Sequence, residues 1–410
     1  MNTAGLSLEQ APPFGVVLRF FLTAALFGII AGALIATGGA DLLLGRYHPH
    51  TIALIHLLTL GVMAMVMIGA LFQMLPVIAG VVLPKVRLLG RLIHAVLLAG
   101  ILCLCGGLYF GCGGLIGLGG LLLVAALGGF SAAALGGLFR VVYVGVTVQM
   151  MRLALVALLV TALMGAFLAQ LHAAQTLSAF SLQLAQLHAS WALAGWTALL
   201  ILGVAQQVLP MFYVTPPYPR FCRRVTGWLI FFSLIAALLA PLQSLATIGV
   251  LLGLLMLGGT TLLRISQRKR KITDASLRYW QLSMISLLLA LPLIVLDHPL
   301  ATSLAALLFI GGFALGLING MIYKIVPFLS WFHLSSGAHP DTPMMHDFIP
   351  RRAAHGQLWL HTAALVLLAA GLFMPMLAPP GGALLAAAYA LLFYHLIHAV
   401  RLYRRSGGVF

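Results

Sequence analysis

Histidine is the residue type in this chain with the most chemistry to offer. There are 14 histidines and only six acidic residues. The single glutamate, Glu9, lies near the N-terminus, and Asp41, Asp274, Asp297, Asp341 and Asp347 fall in loops or at the ends of apolar stretches. No carboxylate sits inside an apolar stretch, so a two-carboxylate hydrolase has nothing to work with. The intramembrane acids of proton-driven carriers are missing too. Neutral imidazole, by contrast, suits copper, zinc and haem iron. The segment HPHTIALIH carries His48, His50 and His56 within nine residues. His56 enters a predicted helix by about one turn. His188 enters another helix similarly, seven residues before Gly195, and so shares a face with that glycine. These two, at matched depth, are the expected cofactor ligands, with His50 and His172 as possible helpers. A second, inner set is His361 with His395 and His398, the last two sharing a helix face. The alternative reading of each histidine is a polar side chain tolerated where a helix meets lipid headgroups.

The elements that must position these residues are helices in lipid. Of the 410 residues 62% are hydrophobic and 7% charged, with mean hydropathy +1.13. A soluble domain carries roughly 25% charged residues, so there is too little polar surface for a water-exposed globule. A spanning helix needs roughly 20 apolar residues, and in lipid only helices or closed barrels satisfy the backbone. The long, non-alternating apolar runs here read as helices. Twelve spans are predicted, at about 14–37, 52–79, 88–111, 114–139, 152–173, 183–213, 225–241, 243–264, 279–297, 301–329, 358–378 and 382–403. The expected fold is therefore an all-α polytopic transmembrane bundle forming a single integral membrane domain over 1–410. The first apolar stretch is long enough to span and lacks a basic leader, so it reads as the first helix and not a signal peptide. The four cysteines read as ordinary small apolar residues.

The net charge of +16 encodes topology. With the N-terminus inside, every basic residue except Arg46 falls on the inner side, which is the positive-inside pattern. The expectation is a bacterial inner-membrane protein with both termini cytoplasmic, a cytoplasmic loop at 330–357, the bilayer as its partner and no nucleic acid.

A repeat runs through the chain. GVMAMVMIGALFQMLP, GWTALLILGVAQQVLP and GFALGLINGMIYKIVP each hold Gly, seven residues, Gly, three residues, a long polar residue, two residues and Pro. The matched residues are Gly61, Gly69, Gln73 and Pro76; Gly195, Gly203, Gln207 and Pro210; and Gly312, Gly320, Lys324 and Pro327. The prolines lie 134 and 117 residues apart, about four helices each. Three pseudo-repeats of four helices follow, at about 14–140, 152–264 and 279–403. The glycines would let a neighbouring helix or a flat ligand approach the backbone, and the prolines would interrupt their helices near the inner end. Lys324 is costly in a membrane unless paired or snorkelling. The glycine-rich run GCGGLIGLGG lacks the lysine of a phosphate loop.

The strings HLLTLGVMAMVMIGALFQMLP, QLHASWALAGWTALLILGVAQQVLPMF and GMIYKIVPFLSWF resemble segments of uncharacterised bacterial proteins in the haem–copper oxidase subunit I-like superfamily. The resemblance covers three helices and the twelve-helix, threefold plan. It implies a haem ligand on the second helix and a copper ligand on the sixth, carried over by position as His56 and His188. A further reading is a structural or assembly partner of a respiratory complex, with respiratory-chain subunits as partners and no site of its own. The chain departs from active oxidases at several places. Ala192 stands where they have a tyrosine, no two histidines are adjacent, and residues 301–329 hold no histidine. Oxygen reduction is therefore not expected. A weaker analogy is to the NnrS family of haem- and copper-containing membrane proteins linked to nitric oxide stress. The expected function is a haem- or copper-binding, oxidase-like membrane protein without a catalytic ligand set, serving redox, metal or nitric oxide stress or respiratory assembly. The alternative is a permease for a small solute or metal ion, with Gln73, Gln207 and Lys324 at its inner mouth.

Overall fold

The computed structural model describes residues 12–142, 144–296, 298–336 and 342–410. Glu9, Asp297, His339 and Asp341 lie outside the described residues. Long helices account for nearly all of the described chain, and no strand occurs among the described residues. They are α1 Phe14–Gly38, α2 Pro49–Ala79, α3 Val86–Phe110, α4 Gly113–Leu138, α5 Val146–Ala173 and α6 Ala179–Tyr213. After these come α7 Arg220–Ala236, α8 Ala240–Ser266, α9 Ala275–Val295, α10 Pro299–Ser335, α11 Arg351–Gly371 and α12 Pro375–Arg405. Eleven of the helices are long and apolar enough to cross a membrane, which makes the chain an all-α, multi-pass membrane protein. The remaining one, α7, has 17 residues and opens on Arg220, Arg223 and Arg224.

Three expectations are corrected. α11 ends at Gly371 and a short 3-10 turn, Pro375–Leu377, follows, so this helix lies about seven residues earlier than its hydropathy suggests. Residues 330–335, expected as irregular loop, continue α10. The repeat prolines do not break their helices. Pro76 and Pro210 sit in the last turn, and helix runs on for several residues beyond Pro327. Four residues past the first two prolines the chain turns left-handed, at Gly80 (φ 65°) and Val214 (φ 52°).

The repeat itself is written into the backbone. Leu57–Ala64 in α2, Trp191–Ala198 in α6 and Leu308–Leu315 in α10 are π-helical. In each, the first repeat glycine is the fifth residue. Eight residues of pure α-helix overshoot two turns by about 80°, which would put the paired glycines on different faces. The wider π turn absorbs about one extra residue and brings them back together. Both glycines of each pair then meet the preceding helix. Gly61 and Gly69 meet Phe27 and Phe20 on α1, Gly195 and Gly203 meet Ala157 and Met150 on α5, and Gly312 and Gly320 meet Ser286 and Tyr279 on α9. In every pair the contacted residues are seven apart, and a Cβ on any of the six glycines would fall within 3.0 Å of its neighbour. The glycines therefore serve helix packing, and a flat ligand has no room against them.

The chain divides into two compact units, and the boundary falls inside α2 between Phe72 and Gln73. One unit, 73–271, holds α3 to α8. Its core includes Phe130, Met150, Leu155, Leu199, Tyr213 and Leu257. The glycine-rich run opens α4 as a two-faced wedge. Gly119 lies against Leu104 of α3, Gly120 against Ala169 of α5, and Gln170 Nε2 donates to the Gly117 carbonyl at 2.9 Å. The other unit holds 12–72 and 272–410, with Phe20, Phe21, Trp280, Met284, Phe313 and Leu396 in its core. There α1 and α12 meet backbone to backbone at Gly32 and Gly382, while Gly28 leaves room for the Tyr389 ring.

Candidate functional site

His56 is half-buried and immediately precedes the first π segment. Its Nδ1 lies 2.8 Å from the Ile52 carbonyl. A carbonyl only accepts, so in the neutral ring Nδ1 carries the proton and Nε2 the lone pair. His188, also half-buried, has Nδ1 3.1 Å from the Thr161 carbonyl of α5, which sets the same tautomer. Its ring edge lies against Gly165, where a Cβ would be 2.8 Å from Cε1. The two histidines belong to different units. They also differ in register, since His56 stands five residues before its repeat glycine and His188 seven.

The flanking histidines have structural work. His48 is the N-cap of α2, and its Nδ1 accepts from the His50 amide at 3.3 Å. His298 caps α10 in the same way, accepting from the Leu300 amide at 3.2 Å. Each precedes a proline at the first helical position, where a missing N–H costs nothing. His172 lies in the last turn of α5.

The inner histidines do not converge. His361 is buried on α11, with Nε2 3.1 Å from the Gly311 carbonyl and Nδ1 3.5 Å from the Asn319 amide nitrogen. Both ring nitrogens are thereby engaged. His395 bonds the Tyr323 hydroxyl at 3.0 Å, and His398 bonds the Phe348 carbonyl at 3.1 Å. Among the described residues no three His, Cys, Asp or Glu side chains come together to hold a metal ion. The expected site from His361, His395 and His398 is therefore not assembled.

Instead the third repeat encloses a polar core that hydropathy alone does not reveal. The Tyr279 hydroxyl donates to Gln357, and the Tyr279 ring packs edge-on against His361. Tyr389, Asn319, Ser283 and Gln357 are fully buried there, and the Ser283 hydroxyl and the Gln357 amide nitrogen have no hydrogen-bond partner. Near the end of this core Lys324 pairs with Asp274, whose other carboxylate oxygen caps α9 by accepting from the Leu277 amide at 2.9 Å. This pairing answers the cost of a lysine in a span. The equivalent Gln73 is buried with its amide oxygen unpartnered.

The third equivalent, Gln207, borders a cavity of about 470 Å³ within residues 73–271. Its walls include the first residues of α5 (Gly145 to Val148), Gln206 and Gln207 of α6, Tyr218 and Arg223. Both polar atoms of the Gln206 amide are buried without a partner. Thr147 ties α5 to α6 through the Gly203 carbonyl at 3.0 Å. Burial raises the Tyr218 phenol well above its ordinary value, partly offset by its hydrogen bond to Thr261 and by nearby Arg264. The phenol therefore stays neutral through the physiological range and adds no negative charge to the wall.

No protein-family profile and no curated protein matches the chain.

Proposed function

We propose that this chain is a haem- or copper-binding, oxidase-like protein of the bacterial inner membrane, with both termini in the cytoplasm and no oxidase ligand set of its own. Its role would lie in redox, metal or nitric oxide stress, or in assembly of respiratory subunits. The observation that supports this is the setting of His56 at the head of a π segment. Its Nδ1 is held by a main-chain carbonyl, and that is the tautomer that ligates through Nε2. His188, in the same tautomer, is the corresponding candidate ligand within its own unit. One or two imidazoles suffice for a haem, so the site does not need a three-residue cluster. The chemistry such a group would supply is electron transfer or the binding of a small gas. The chain's part is to orient the imidazole and keep it in an apolar surround.

The test is a visible spectrum of the purified protein, oxidised and reduced, with elemental analysis for iron and copper, from haem- and copper-replete cells. A Soret band or stoichiometric copper, lost in a His56→Ala, His188→Ala variant, is the expected result. A colourless, metal-free protein would falsify it, as would a double variant that keeps its full complement. A second reading, the permease, is favoured by the cavity at Gln207. Its one charged lining residue is Arg223, and no acid is among the lining, which suits an anion better than a metal ion. Phosphate flux into proteoliposomes no faster than into protein-free liposomes would remove that reading.

A further inference from the structure

Of the helices named above, α7 alone is not among those long and apolar enough to cross a membrane. Its 17 residues measure about 26 Å, against a hydrocarbon core of roughly 30 Å. An arginine near the end of such a helix reaches the headgroups by extending along its own apolar stem. Arg220, Arg224, Trp228 and Phe232 follow one another at intervals of four, and all four are exposed. Each therefore stands about one turn beyond the last on the outside of the helix. Trp228 and Phe232 stack, with ring centroids 5.5 Å apart and planes 22° from parallel. The stripe runs from two cations, through an indole, the ring type that sits at the membrane–water boundary, to a purely apolar ring. That is the order of chemistry along a phospholipid, from anionic headgroup to acyl chain.

Two more exposed cations, Lys269 and Lys271, are carried to the same end. The Tyr218 hydroxyl, just before α7, bonds Thr261 of α8 at 2.9 Å, which sets the end of α8 beside the start of α7. The chain leaving α8 is pinned on the end of α6. The Lys269 amide donates to the Val214 carbonyl at 3.1 Å, the Arg270 amide to the Tyr213 carbonyl at 3.3 Å and the Arg270 guanidinium to the Phe212 carbonyl at 3.1 Å. A segment already held in place loses little further freedom on binding. Among the described residues no carboxylate pairs with any of these four cations. No Asp or Glu occurs anywhere between residues 73 and 271, so the unit holds no counter-charge of its own. Topology alone accounts for basic residues at a helix end. It does not call for a stacked aromatic pair in line with them.

We propose that the exposed face of α7 binds an anionic phospholipid of the surrounding bilayer. The phosphate lies at Arg220 and Arg224, Lys269 and Lys271 add positive charge beside it, and an acyl chain lies along the stacked rings of Trp228 and Phe232. The surface is built within residues 212–271 and does not depend on the haem or copper reading.

The experiment uses the full chain in phosphatidylcholine nanodiscs. These hold a minor share of dibrominated phosphatidylglycerol or the same share of dibrominated phosphatidylcholine. Bromine quenches indole emission at close range, and the part due to Trp228 is the difference between the parent and Trp228→Phe, which keeps the stacked pair. Brominated phosphatidylglycerol is expected to quench Trp228 more strongly than brominated phosphatidylcholine. Each basic residue near an anionic lipid is worth about fivefold in binding, so Arg220→Gln with Arg224→Gln should bring the two lipids close to equality. Arg220→Lys with Arg224→Lys keeps the charge and should keep the preference. Arg87→Gln with Arg91→Gln removes two exposed cations from the start of α3 and should leave the preference at Trp228 as in the parent. Equal quenching of Trp228 by the two brominated lipids in the parent overturns the proposal, and that result requires no arginine variant to fold. The proposal is equally overturned if the α3 pair lowers the preference as far as the α7 pair, because the lipid would then be drawn by the basic surface as a whole.

Discussion

At the scale of single residues, the paired Lys324 and Asp274 show why a polar group in a span cannot be judged from its own helix. They are 50 positions apart, and the carboxylate does double duty as the cap of α9. Replacing Lys324 by Met takes the lysine's charge away from a partly buried carboxylate, which should cost about 2 kcal/mol. Lys324→Met with Asp274→Asn together should recover most of that loss, since asparagine still caps. Asp274→Ala should be worse than Asp274→Asn by about 1 kcal/mol for the lost cap. Thermal unfolding in mild detergent reads all four, and a double variant no better than Lys324→Met would show that the pair is not the source. Val214 offers the opposite sign. A β-branched residue at φ 52° is strained by about 1 kcal/mol, so Val214→Gly should raise stability by that order; a loss would mean that the valine side chain outweighs its backbone. The sequence made the repeat residues and the candidate histidines legible because spacing is visible along one strand of text. The fate of each histidine was not legible. His48 and His298 became caps and His361 spent both nitrogens because those outcomes depend on partners such as Asn319, far away in the chain.

At the scale of elements, the eight-residue interval between paired glycines carried a message that hydropathy does not contain. An α-helix alone cannot present both to one neighbour, so the π segment follows from the spacing together with the contacts to α1, α5 and α9. Deleting Val62, just after Gly61, should remove the extra residue that the π turn absorbs and leave α-helix with the two glycines seven apart, so that Gly69 still meets Phe20 and the variant stays folded. A deletion variant that fails to fold or melts far lower in detergent would show that the π turn does more than keep this register. Gly32→Ala, which would set a Cβ against the Ala386 backbone, should destabilise markedly. Gly136→Ala, which meets nothing within 4 Å, should be neutral or gain up to about 1 kcal/mol of helix propensity. Helix boundaries were readable where polar or glycine residues punctuate the chain. They failed at 372–378, because LFMPMLA is as apolar as the helices beside it, and a turn in lipid needs no polar residues to be stable near the interface.

At the scale of the molecule, charge is divided unequally. Residues 73–271 carry basic side chains and no acid, while Asp274 and Asp347 sit in the other unit. Anionic bilayers attract each basic residue near their surface by about 1 kcal/mol, so the protein should melt higher in phosphatidylglycerol than in phosphatidylcholine. That difference should shrink as salt rises and the Debye length falls. A melting temperature indifferent to lipid charge would mean that the arginines are already satisfied within the protein, as Arg152 is by the Leu138 carbonyl at 2.6 Å and the Phe139 ring.

The three π segments also separate what is constant from what varies. A π turn inside a helix is what a single inserted residue leaves behind when the helix on either side is kept. It stands three times here, with glycine at the fifth place in each, while the polar residue three places before the proline is glutamine, glutamine and lysine. The bend is the constant part of the three segments, and the polar chemistry beside it is the part that varies.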